Sequence, residues 1–143
     1  MNRRIQSVLL AAFTLFSATA VLAQQHPAYL HALADLRYAR AVLSQPSPNG
    51  INNDTQMAIA EIDKAINEVK KASIDDGKNL NDHPPIDAHL ASTGRYHKAL
   101  ELLNQAHADV SKAEDLPNAQ GLQGRIKQHI DAARQYVENA ARH

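Results

Sequence analysis

Three histidine–carboxylate pairs share a spacing of four residues: His31 with Asp35, His83 with Asp87, and His97 with Glu101. On a helix that spacing puts both side chains on one face, so an imidazole nitrogen and a carboxylate oxygen are offered together. Such a donor set suits a borderline divalent cation, copper, nickel or zinc. His89 lies close to the second pair, and the chain holds 8 histidines. The candidate metal ligands are therefore His31, Asp35, His83, Asp87, His89, His97 and Glu101. A second reading stays open beside this one, because histidines followed by acids also decorate ordinary solvated helix faces.

Sharper chemistry is missing. No Glu or Asp stands three residues before any histidine, which removes the inward Glu-x-x-His pairs of di-iron bundles. His-Glu-x-x-His is absent too. The acidic run from Asp75 to Asp82 has no glutamate to close a calcium loop. No serine sits in a nucleophile elbow, and with 0 cysteines neither a thiol nucleophile nor a Cys-x-x-Cys-His haem anchor exists. The expectation is a non-catalytic protein.

Proline and glycine mark out the elements that must position these groups. The 6 prolines and 5 glycines all fall in or beside gaps between periodic segments. Because proline breaks helix interiors and glycine weakens them, four uninterrupted helices are predicted over about 28–44, 54–74, 95–114 and 122–141. Asn53 or Asp54 and Thr93 are the expected N-caps of the second and third.

Within these segments the apolar residues alternate at spacings of three and four. Counted from Ala39, Ala65, Ala106 and Ala133, the positions seven and three before and four after carry Ala32, Leu36 and Leu43, then Ala58, Ile62 and Val69, then Ala99, Leu103 and Val110, then Ile126, Ile130 and Val137. This is the seam of a helical bundle, and it excludes the period-two alternation of strands. His31 and His97 fall on outward positions of the same register.

The four anchor alanines also describe a repeat. Tyr29-Leu30-His31-Ala32-Leu33 and Tyr96-His97-Lys98-Ala99-Leu100 open two helical hairpins in the same register. A longer link, residues 75–94, joins them. The expected fold is an all-α, up-down-up-down four-helix bundle built from two similar hairpins. In that order the starts of the first and third helices and the link share one end, which would gather His31, His83, His89 and His97. Links inside bundles usually run 2–8 residues, and longer ones are often functional.

The N-terminus reads as an export signal. Arg3 and Arg4 precede a mostly apolar stretch from Val8 to Leu22, and Val21-Leu22-Ala23 offers small residues for cleavage. Thr14, Ser17 and Thr19 interrupt the stretch, leaving it short of the ~20 apolar residues of a membrane span. Residues 1–23 are thus expected to be a signal peptide and 24–143 the bundle domain, periplasmic or secreted, with no stable membrane span after cleavage. Without Arg3 and Arg4, 13 Lys+Arg face 15 Asp+Glu, a balance that excludes nucleic acid held by phosphate neutralisation.

In its exported, cysteine-free, histidine-bearing helical repeats the chain resembles the small metal-binding proteins of the bacterial periplasm. That resemblance implies a four-helix bundle binding divalent metal ions. The alternative expectation is a protein-interaction or stress-response module that meets an unidentified protein through the 75–94 link and binds no metal.

Overall fold

In the computed structural model, residues 27–47, 50–73, 92–113 and 120–143 are described. They form four helices: α1 (Pro27–Leu43), α2 (Asn53–Ser73), α3 (Ser92–Lys112) and α4 (Gln120–Ala140). The expected all-α four-helix bundle is what the chain adopts. The expected signal peptide, the greater part of the link, and His83, Asp87 and His89 lie outside the described residues.

All 16 seam residues are 0% exposed, from Ala32, Leu36, Ala39 and Leu43 in α1 to Ile126, Ile130, Ala133 and Val137 in α4. Each buried Leu, Ile or Val contributes roughly 1.5–3 kcal/mol by leaving water, while the alanines let backbones approach. Tyr29, at 3% exposure, closes one end of this core.

The helix boundaries depart from expectation by small amounts with clear causes. Asn52, not Asn53 or Asp54, caps α2: its Oδ1 accepts from the Thr55 amide at 2.8 Å and from the Thr55 hydroxyl at 2.6 Å. The turn before it uses Gly50 at a φ of 74°, a region that suits a residue without Cβ, and the Gly50 amide donates to the Ser47 carbonyl at 2.9 Å. Gly94, Gly121 and Gly124 lie inside the first turns of α3 and α4, so the expected link ends earlier, at residue 91.

The path of the chain differs from the expected up-down-up-down order. α1 packs most extensively against α3 and α2 against α4, with the two hairpin pairings less extensive. The Arg95 guanidinium, in the first turn of α3, reaches the carbonyl of Gln45 just beyond the end of α1. At the other end, His31 and Asp35 share a cleft with Asp109 and Lys112. α1 and α3 are therefore antiparallel. The same holds for α2 and α4, where Glu61 meets His129 and Glu68 meets Arg125. The order is up-down-down-up, and every packed pair is antiparallel.

The reach of the link permits this order. Residues 74–91 join the end of α2 to the start of α3 at opposite ends of the bundle. A helix of 21 residues is about 30 Å long at 1.5 Å per residue, and an 18-residue segment spans up to about 60 Å. The link is long enough to travel the bundle, and doing so lets the second hairpin pack against the first upside down.

Two like hairpins packed in this way are related by an approximate two-fold axis across the bundle. Glu61 and His129 stand at the same place, four residues before Ala65 and Ala133, and they meet each other at 2.7 Å. The ion pair Arg40–Asp63 within the first hairpin (2.6 Å) has at corresponding positions of the second a contact between His107 and Asp131 (3.7 Å). One chain thus builds internally what two identical hairpins would build as a symmetric dimer.

Candidate functional site

The antiparallel α1–α3 contact creates a cleft of about 380 Å³ lined by His31, Ala34 and Asp35 from α1 and by Gln105, Ala108, Asp109 and Lys112 from α3. His31 and Asp35 lie one turn apart and line it together, as their spacing predicts. Lys112 reaches Asp109 at 3.4 Å, with its own side chain largely in solvent.

Asp35 is the unusual member. Its carboxyl is pushed up from 3.8 to about 6, first by burial and next by the nearby charge of Asp109, against the lowering influence of His31 and Lys98; Glu101 adds further repulsion. Among the described residues, no hydrogen bond contributes to holding its ionised form. A half-buried carboxylate so placed lacks the pairing that normally accompanies charge away from water.

The approximate symmetry shows what the scaffold prefers here. Asp35 lies four residues before Ala39 and Asp109 three after Ala106; the corresponding positions of the other hairpin are Leu102 and Val42. Those two are 3% and 0% exposed. The equivalent region at the opposite end is closed by apolar side chains, whereas this end sets two carboxylates against each other.

The remaining expected ligands do not join this cleft as a group. Glu101 is near enough to act on Asp35, but it is engaged by Lys98 at 3.1 Å and by Gln105 at 3.3 Å. His97 is exposed in the first turns of α3, at the end opposite to His31. The expected gathering of His31 and His97 at one end is thus corrected: the link reverses the second hairpin and carries its start away. His83, Asp87 and His89 belong to residues 74–91, outside the described part. Among the described residues, no three His, Asp or Glu side chains stand close enough to hold a metal ion.

Sequence reasoning missed Asp109, Gln105 and Lys112, because it paired helix starts with helix starts. The available signals were the flank position of Asp109 beside its anchor and a link long enough to cross the bundle.

The other strong side-chain contacts are structural. Burial pushes the Glu61 carboxyl up, but hydrogen bonds from Lys64 and His129 outweigh it and hold the group below its ordinary value. Glu68 is lowered chiefly by its hydrogen bond to Lys71, against some desolvation, with Arg125 assisting. Both groups tie α4 to α2.

No family model matches the chain, and neither the curated proteins nor the solved structures include a match to it. Among the described residues, no helix is long and apolar enough to cross a membrane.

Proposed function

We propose that this chain is an exported, non-catalytic binding bundle that takes a small cation into the α1–α3 cleft. One observation carries the reading: Asp35 is a desolvated carboxylate facing a second carboxylate in an open cleft, at a position where the other hairpin places a buried leucine. Perturbed carboxyls in clefts cluster at functional sites, and the missing component here is positive charge. Lys112 compensates Asp109 only through an exposed contact, which leaves Asp35 to the ligand.

Two sources of that charge share the same chemistry. A divalent copper, nickel or zinc ion would draw on His31 and Asp35 and complete its coordination with water, at modest affinity. An organic ammonium would instead use the carboxylates alone. Export rests on residues 1–23 and is tested by the mass of the protein from its native host, where loss of the segment up to Ala23 is expected and a retained Met1 contradicts it.

Calorimetric titration separates the two sources. The whole bundle is titrated with zinc, copper and nickel in one arm and with a diaminoalkane in the other. One arm should give saturable binding that weakens as pH falls below about 6, because Asp35 then takes a proton in competition with the cation. Asp35→Asn should weaken that binding at least about tenfold, the effect of losing 1.4 kcal/mol. Binding unchanged in Asp35→Asn, or no binding in either arm, contradicts the reading.

A further inference from the structure

At the end of the bundle opposite to that cleft, Arg95 is only 4% exposed although it carries a permanent charge. Its Nη1 donates to the Gln45 carbonyl at 3.3 Å and its Nη2 to the Tyr96 hydroxyl at 3.0 Å, and the guanidinium carbon lies 4.8 Å from the Tyr96 ring centre. These contacts are with neutral groups. Among the described residues no carboxylate reaches Arg95, and its buried Nε has no hydrogen-bond partner. The side-chain amide nitrogen of Gln45, the residue whose carbonyl Arg95 holds, is likewise buried without a partner.

The surrounding hydroxyls solvate the guanidinium without supplying the negative charge that would neutralise it. The Thr55 hydroxyl gives its single proton to the Asn52 carbonyl oxygen at 2.6 Å, so the Tyr96 hydroxyl, 3.1 Å away, donates to Thr55. Tyr96 therefore presents its lone pairs to Arg95, and the whole chain of donors runs away from the guanidinium. It orients the cation and does not neutralise it. Burying a charge without a counter-charge is unfavourable, and an unsatisfied buried donor adds to that cost. Arg95 also sits in the first turn of α3, a helix of 21 residues whose free amides and dipole favour an anion at that end.

We propose that this end of the bundle is a binding site for a small oxyanion, carboxylate or phosphoryl, held by the Arg95 guanidinium with the Gln45 side-chain amide as second donor. The site lies on different residues from the cation cleft and stands or falls separately from it. A guanidinium edge matches two oxygens of such an anion, which distinguishes it from chloride.

The test follows the arginine Nε–H signals of the isotope-labelled full chain by nuclear magnetic resonance, the Arg95 signal being identified by its loss in Arg95→Lys. Inorganic phosphate and acetate are titrated separately against chloride at matched ionic strength. The Arg95 signal should shift and saturate with at least one oxyanion, while that of the exposed Arg142 follows ionic strength only. The same oxyanion should raise the unfolding temperature of the parent and not of Arg95→Lys. An Arg95 signal that ignores both anions overturns the proposal. So does one that responds only after Asp75, Asp76, Asp82 and Asp87 are all replaced by Asn, since the partner would then be a carboxylate of the chain itself.

Discussion

At Asp35 the cost of the cleft can be read as a pH dependence. Its carboxyl titrates at about 6 in the folded chain against 3.8 as a free side chain, so the native state binds the proton more tightly than the unfolded state does. Stability contributed by this group is therefore fully present below about pH 4 and declines as pH rises through about 6. The shift of roughly two units corresponds to at most about 3 kcal/mol, and solvent access to the half-buried group reduces that to about 1 kcal/mol. Asp35→Asn should raise stability toward denaturant by about that amount at pH 7.5 and leave it unchanged near pH 3.5; an equal effect at both values would show that the charge is not what strains the site. Glu61 and Glu68 act in the opposite sense, because their lowered carboxyls stabilise the fold above the ordinary carboxylate range and that contribution is lost on acidification. The pairing of His31 with Asp35 was legible from spacing because both belong to one helix. Asp109 was not, since the spacing within a helix carries no information about which helix faces it.

Among the elements, the seam alanines and the early glycines give two opposed expectations. Ala106 is 0% exposed at the centre of α3, and Ala106→Leu should overpack the contact and lower stability by roughly 1–3 kcal/mol in thermal unfolding. Gly124 lies inside α4, and a Cβ added there meets nothing within 4 Å. Gly124→Ala should raise stability by about 0.5–1 kcal/mol by restricting the unfolded chain and favouring the helix. Gly50→Ala, which forces a side chain into a φ of +74°, should do the reverse. The four helices were legible because their apolar period is regular and their breakers are confined. Their first turns were less so: glycine is cheap there, and Asn52 caps α2 from the position just before the helix. The asymmetry between Asp35 and Leu102 is also visible in the repeat, but only a bundle whose hairpins are inverted turns it into a contrast between two ends.

For the molecule as a whole, the inversion of the second hairpin is what brings Asp35 opposite Asp109 and Arg95 to Gln45, and both proposed sites depend on it. Short links would enforce up-down-up-down order, whereas residues 74–91 are long enough to permit either, so length alone left the direction open. The chain has no cysteine, which makes paired spin labels straightforward to install. His31, His97 and Lys112 are all exposed. The measurement is the distance between labels in His31→Cys/Lys112→Cys compared with His31→Cys/His97→Cys, by electron spin resonance on the folded bundle. The antiparallel packing of α1 and α3 predicts the first pair close across the cleft. It predicts the second pair separated by about 18 Å along the bundle axis, the rise of the twelve residues between the level of His97 and that of His31. A short His31–His97 distance together with a long His31–Lys112 distance would place the two helix starts side by side and contradict the account.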